Sequence, residues 1–265
     1  MSSLSPSSTL RTTLPDICKY LLTLGALAWL IRRGADTLGY NWQWYQVPKY
    51  LYTIQDGQFF PGPLLDGLLV TIQISAVSLL CAFLLGLCTA LLRLSGSVIG
   101  TLIARGYLEV IRNTPLLIQI FFIYFVLSPI LDMSRFASAV LALSLFEGAY
   151  ASEIFRAGVR SVVKGQWEAA YCLGLGTWQT YRRIILPQAL RQIIPPLTSQ
   201  GISLIKDSAL VSTIAIYDLT MQGQAIVAES FLTFEIWFVV AAIYLCLTGL
   251  LSGIVYFMER RSMTS

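Results

Sequence analysis

Hydrophobic and polar positions along this chain alternate as long apolar blocks and short charged intervals. Leu68–Leu92 and Ile236–Met258 contain no charged residue, and each exceeds the roughly 20 residues a helix needs to cross the hydrocarbon of a bilayer. Two further blocks read the same way: about Thr114–Leu131, entered at Pro115, and Phe136–Ile154, which carries Glu147 and Glu153 near its end. A fifth segment runs from Pro187 to roughly Tyr217 and is expected to break at Pro195-Pro196 and again at Lys206-Asp207. A shorter run, Tyr20–Ile31, lies between Lys19 and Arg32 and reads as a short first helix. No small-residue cleavage site precedes the aromatic segment after it, so it is read as uncleaved. Hydrocarbon offers no water to unpaired backbone groups, so these spans are expected to be helices. The fold class is an all-α membrane protein, a five-helix core plus one extra N-terminal helix.

The intervals between the blocks have their own character. Gly39–Tyr52 gathers Tyr40, Trp42, Trp44, Tyr45, Tyr50 and Tyr52 around Pro48; aromatic rings with polar tips favour the headgroup level, so this loop is expected to lie along a membrane face. Pro61-Gly62-Pro63 ends the loop before the first long span. Arg93, Arg105 and Arg112 are read as one polar connection, and the Gly96-x-x-x-Gly100 spacing falls within it. Gly249-x-x-x-Gly253 lies inside the last span, where small residues allow close helix packing.

Composition sharpens the class. The chain is 56% hydrophobic and 12% charged, against about 25% charged residues in soluble domains. It contains no histidine, which removes Ser-His-Asp chemistry and the H-E-x-x-H zinc site together. No glycine-rich phosphate loop with its lysine is present, so any ATP must be bound by another subunit. Cys18, Cys81, Cys88, Cys172 and Cys246 form no C-x-x-C pair, and the three in apolar spans read as small hydrophobes. Placing the interval around residue 168 in the cytoplasm and alternating sides puts thirteen of the eighteen Lys and Arg residues on the cytoplasmic side and four outside, with Lys206 left in the membrane. That asymmetry sets the orientation, with both termini cytoplasmic; only Arg32-Arg33 opposes it.

The longest charged interval of the second half is Glu168–Pro187. On a helix, Ala169, Ala170, Leu173 and Gly174 share about 140° of arc, a shallow face, small except for Leu173, suited to entering a cleft. Gly174 and Gly176 can end the helix with left-handed dihedrals. Thr177 is a candidate cap for a second helix, and Pro187 suits the first turn of a third. An ordinary amphipathic loop would explain Ala169-Ala170 alone, but not the whole twenty-residue pattern.

That pattern, E-A-A-x3-G-x9-I-x-L-P, resembles the motif of permease subunits of ATP-binding-cassette importers. The match holds at Glu168, Ala169, Ala170, Gly174, Ile184, Leu186 and Pro187. Glu109–Leu117, Phe146–Gly158 and Leu204–Ser212 are similar to the polar amino acid branch of that family. The resemblance covers about residues 64–261 and implies the type I ABC importer transmembrane fold. It implies two permease subunits (a homodimer or heterodimer), cytoplasmic ATPases that bind the ATP, an external solute-binding protein, and location in the bacterial inner membrane. It further implies that Glu168, Ala169, Ala170, Leu173, Gly174, Ile184, Leu186 and Pro187 form an ATPase-coupling element. The permease itself would be non-catalytic and hold no cofactor or metal.

On this reading residues 1–15 are a cytoplasmic disordered tail, 16–33 the extra N-terminal helix and 34–65 an external aromatic-rich interfacial loop. Residues 66–261 form the permease core, with the coupling helix at 164–176, and 262–265 a cytoplasmic tail. Ionisable groups inside a membrane usually face a cavity or a partner, which makes Glu147, Glu153, Lys206 and Asp207 the substrate-pathway candidates. Glu147 is the first choice for a substrate ammonium. Glu153 is expected to pair with Arg156 or Arg160. A secondary transporter of amino acids or other small solutes is the rival class, but it predicts internal repeats and offers no counterpart to the docking interval.

Overall fold

The computed structural model describes residues 19–30, 32–34 and 39–263, with the side chains of 55 and 256–263 outside that description. The expected tail at 1–15 and the last two residues lie outside it. The chain divides into two units, residues 1–44 and 45–265. In the first, α1 covers 19–30 and its side chains are exposed. Further on, the Arg33 guanidinium lies 5.1 Å from the Trp29 ring, and Trp42 stacks on Trp44 at 6.0 Å.

The second unit begins with α2 (Pro48–Leu51) and a two-stranded hairpin, β1 (Tyr52–Gln55) and β2 (Gln58–Pro61). The hairpin is a departure from the all-helical expectation. Its signal was present: Asp56-Gly57 between Thr53-Ile54 and Phe59-Phe60, with both turn residues at positive φ (51° and 75°), as two-residue hairpin turns require. Gly62 then brings the chain against α2, where a Cβ would stand 2.5 Å from the Tyr50 carbonyl oxygen.

From Pro63 the chain is helical. α3 (Pro63–Leu94) is the first long span. The region expected as a polar connection is mostly a helix, α4 (Val98–Arg112), capped by Ser97, whose side chain accepts from the Gly100 N–H. Gly100 is therefore helical, and only Gly96 lies in the connection. The misreading came from Arg93 at the end of α3 and from Arg105 and Arg112, which lie on one side of the amphipathic α4. α5 (Leu116–Phe121), a π-helical turn (Phe122–Leu127) and α6 (Ser128–Leu131) follow at 105° to α4. Pro115 causes the bend, and neighbouring side chains occupy backbone carbonyls around it. Thr114 Oγ1 donates to Val110 O at 2.7 Å, and buried Gln119 Nε2 donates to Ile111 O and Thr114 O at 2.7 and 3.0 Å.

α7 (Arg135–Arg160) packs along α3 through small residues. A Cβ on Gly86 would stand 2.8 Å from Ala151 Cβ, and one on Gly148 would stand 3.3 Å from Ala82 O. Without hydrophobic drive between helices in lipid, such close backbone approach supplies the packing energy. α8 (Lys164–Cys172) and α9 (Thr177–Thr180) lead through a second π-helical turn (Tyr181–Ile185) into α10 (Leu186–Asp207) and a 3-10 segment (Ser208–Ile214). α10 does not break at Pro195-Pro196. The carbonyls deprived of their helical donors belong to the exposed residues Arg191 and Gln192, and Thr198 Oγ1 donates to the Ile194 and Pro195 carbonyls. At Lys206-Asp207, where a break was expected, the α-helix continues through both residues and passes directly into the 3-10 segment at Ser208.

The sequence reading had nothing between Tyr217 and Ile236, where α11 (Leu219–Ser230) lies. Asp218 caps it, its Oδ1 accepting from Met221 N at 2.9 Å. Buried Thr71 of α3 accepts from Leu219 N at 3.1 Å, and Thr220 and Tyr244 hydroxyls meet at 3.0 Å. These bonds tie α3, α11 and α12 (Thr233–Met263) at one end of the unit. Three apolar clusters fill the interior. One, around Ile74, Ile120 and Leu143, joins α3, α5 and α7; one around Ile185 and Ala189 lies near α8; one around Leu64, Leu219 and Ile236 lies under α11.

Candidate functional site

α8 ends where the glycine spacing says it should. Gly174 adopts φ +74°. Leu175 N donates to Ala170 O at 3.1 Å and Gly174 N to Tyr171 O at 2.9 Å, the paired bonds of a Schellman stop. Gly176 departs from expectation: it is extended (φ −69°, ψ 161°) and itself precedes α9 as the cap position, with Thr177 the first helical residue. Gln179 Oε1 accepts from Gly176 N at 3.3 Å. Pro187 lies in the first turn of α10 as expected.

The motif residues divide into two faces. Ala170 is fully buried, as is Ile185 next to Ile184, and Ile185 lies with Val162 and Ala189 beside the T-shaped Trp167–Tyr181 pair, whose rings are 4.9 Å apart. This corrects the expected docking face, from which Ala170 must be removed: its methyl holds α8 against its own chain. Glu168, Ala169, Leu173, Gly174, Leu186 and Pro187 are exposed, and Leu173 is 78% so. The outward surface is a carboxylate, a methyl, a protruding leucine and a tight glycine turn. Gln188 Nε2 donates to Gln166 Oε1 at 3.3 Å, a further tie from α8 to α10. The element is therefore small, held at both ends and clamped to the helix that continues into the core.

A cleft of about 500 Å³ opens between α3, α7, α10 and α12. Its walls are apolar, from Ile72, Leu79, Phe83, Ile205, Leu247 and Leu251, and Glu147 is the sole charged lining residue among the described residues. Glu147 is 1% exposed; one carboxylate oxygen accepts from Gln200 Nε2, and the other has no nitrogen or hydroxyl donor among the described residues. The Asp207 carboxyl is near enough to interact with it. Two of the four pathway candidates thus meet, joined by Gln200, which the sequence reading missed. Gln200 stands seven residues before Asp207, two turns along one helix face, and that spacing was its available signal.

The other two candidates lie elsewhere. Glu153 is held by three arginines: Arg93, Arg156 at 2.6 Å and Arg112 at 3.7 Å. Arg156 was expected; Arg160 is not among its partners, and Arg93 and Arg112 come from α3 and α4, beyond the reach of a same-helix spacing argument. Lys206, expected inside the membrane, is an exposed side chain at the end of α10 with no hydrogen bond or ion pair among the described residues. Among the described residues no group of three or more metal-ligating side chains occurs.

Long apolar helices stacked through small residues, with a clamped polar helix at one end and a buried carboxylate in an apolar cleft, define a membrane transport subunit. Residues 82–263 match the family described as the binding-protein-dependent transport system inner membrane component, and the chain belongs to that family. It is 42% identical over 201 residues to the glutamine transport system permease protein of Escherichia coli (strain K12), covering 75% of this chain and 92% of that one. It is 39% identical over 229 residues to the L-cystine transport system permease protein of Bacillus subtilis (strain 168), covering 86% and 94%. The nopaline transport system permease protein of Agrobacterium fabrum is 38% identical over 207 residues, covering 74% and 86%. Among solved structures, an amino acid ABC transporter with histidines superposes with TM-score 0.71 at 37% identity, covering 75% of this chain and 94% of that chain. The MetNI methionine ABC transporter, in inward-facing conformations, shares the fold at TM-score 0.65 and 20% identity, covering 76% and 96%. The chain is a non-catalytic permease of an ABC transporter, a multi-pass inner-membrane protein that works with an ATPase and a binding protein.

Proposed function

We propose that this chain is the permease of an importer for polar amino acids or their close derivatives, and that α8 with the turn at Gly174 is where a cytoplasmic ATPase grips it. The observation that carries the coupling assignment is the division of the motif: Ala170 and Ile185 clamp α8 to the core, while Glu168, Ala169 and Leu173 face outward. A force applied to that outward face passes into α10 through the Tyr181–Ile185 turn and so reaches Gln200 and Asp207 beside Glu147. The named cargoes of the relatives (glutamine, L-cystine and nopaline) support the substrate class.

Within the cleft, Glu147 is the group for a substrate ammonium, with Gln200 and Asp207 beside it. Glu153 serves the structure, and Lys206 is left for contact with a partner. The excess of Lys and Arg on the α8 side supports a cytoplasmic α8 and cytoplasmic termini. The test is uptake into vesicles carrying the permease with its ATPase, fed by the binding protein. ATP-dependent accumulation of a polar amino acid is expected, and Glu147→Gln should lower it with insertion unchanged. Accumulation driven by an ion gradient without ATP would overturn the proposal.

A further inference from the structure

A second pocket, of about 390 Å³, lies between α3, α4 and α7 and shares no lining residue with the apolar cleft. Three arginines line it, Arg93, Arg105 and Arg112, against Glu109 and Glu153. Those carboxylates are already engaged. Glu153 is shared with Arg156 from outside the pocket, and Glu109 accepts from Asn113 Nδ2 at 3.0 Å. Arg105 is exposed and makes no ion pair or hydrogen bond among the described residues. Arg112 reaches Glu153 only at 3.7 Å and rests 5.7 Å from the centre of the Tyr150 ring. Three guanidiniums thus face two carboxylates, one of them shared with Arg156, so the pocket has guanidinium donors left over.

Its surroundings say what kind of anion fits. α4 exposes Val98, Ile99, Leu102, Ile103 and Val110, each more than 60% accessible. On a helical wheel Arg105 and Arg112 lie directly beside this stripe, and Glu109 falls at its edge between Val98 and Leu102. A charged edge next to an apolar stripe is the pattern of a helix lying in a membrane interface. Arginine's fork of donors matches phosphate oxygens. No residue of α8 lines the pocket, so it is separate from the coupling element.

We propose that this pocket binds the phosphate of an anionic phospholipid, whose acyl chains lie along the exposed stripe of α4. A free phosphate would use the arginines but not the stripe. The lipid holds α4 at the membrane surface and supplies the charge that Glu153 and Glu109 leave unmatched.

The test uses the purified full-length chain in mixed micelles, with labelled phosphatidylglycerol, labelled phosphatidylcholine and inorganic phosphate as separate probes. Phosphatidylglycerol should be retained over phosphatidylcholine, and retention should fall roughly fivefold for each of Arg105→Gln and Arg112→Gln. Arg105→Lys should lose less than Arg105→Gln, and Arg182→Gln, on the α9–α10 turn, should leave retention unchanged. Arg105 has no ion pair or hydrogen bond to lose among the described residues, so its Gln variant reads lipid binding without disturbing folding. Equal retention of the two lipids, undiminished retention in Arg105→Gln, or displacement of phosphatidylglycerol by millimolar inorganic phosphate would each overturn the proposal.

Discussion

Replacing Gly86 with alanine tests the seam on which the helical core is built. An added Cβ would meet Ala151 Cβ at 2.8 Å, Gly148 O at 3.0 Å and Ser152 N at 3.1 Å, whereas carbon atoms rest at about 3.5–4.0 Å. Two of the three obstacles are backbone atoms, so no side-chain rotation relieves them, and α3 and α7 must part by about 1 Å. Overpacking of this kind costs about 1–3 kcal/mol, and the better helix propensity of alanine returns only about 0.5–1 kcal/mol. The net expectation is a loss of about 1–2 kcal/mol, or a few degrees at about 2–4 °C per kcal/mol for a chain of this size. Thermal unfolding of the detergent-solubilised chain, followed by loss of the monodisperse chromatographic peak, measures it. Gly106→Ala is the control: Gly106 lies on α4 with nothing within 4 Å of its Cβ position, and that variant should be neutral or slightly stabilised. Adding Ala151→Gly to Gly86→Ala removes the closest clash and should recover part of the loss beyond additivity. Equal stability of Gly86→Ala and Gly106→Ala, or a strictly additive double variant, would refute the close-approach reasoning.

Other elements make their own predictions. Glu153→Gln leaves Arg93, Arg112 and Arg156 facing one another without a counter-charge; hydrogen bonds to charged groups are worth about 1.5–3 kcal/mol, so a lower unfolding midpoint is expected, with less than half that loss for Glu109→Gln. Burial pushes the Asp218 carboxyl up to about 6 from its ordinary 3.8. The folded chain then holds the proton more tightly than the unfolded one, so Asp218's stabilising contribution is complete below pH 3.8 and is lost as pH rises to about 6. Asp218→Asn should flatten the stability–pH curve in that window, and an unchanged slope would contradict the assignment. Gly174→Val forces a β-branched residue to φ +74°, at about 1–2 kcal/mol; it should raise protease sensitivity at the α8–α9 turn without lowering the amount inserted.

Much of this could be read from the residues, and the failures share physical causes. The uncharged blocks gave α3 and α12 because length and composition alone decide a membrane span. Glu168–Pro187 gave α8, its glycine stop and the start of α10 because Gly174 and Pro187 act through local backbone geometry. Ala170 was misassigned because a helical wheel shows which residues share a face, not which side of that face the rest of the chain covers. α4 was read as a connection because Arg93, at the end of α3, and the two arginines of α4 were taken as one polar interval, and charge density is a weaker signal than the apolar stripe of α4. Pro195-Pro196 did not break α10 because the carbonyls they deprive belong to exposed residues and Thr198 braces the turn. Gln200 was passed over because its importance comes from Glu147, fifty-three positions earlier, a contact made only when α7 and α10 pack.

The most direct test of the central claim is ATP-driven uptake by vesicles carrying the Glu168→Lys permease with its ATPase and binding protein. Glu168 is exposed, so the substitution alters the outward face of α8 and leaves the Ala170 clamp alone. Uptake is predicted to vanish while the amount of permease inserted and its unfolding midpoint stay at the unmodified level. Uptake at the unmodified rate would contradict the account.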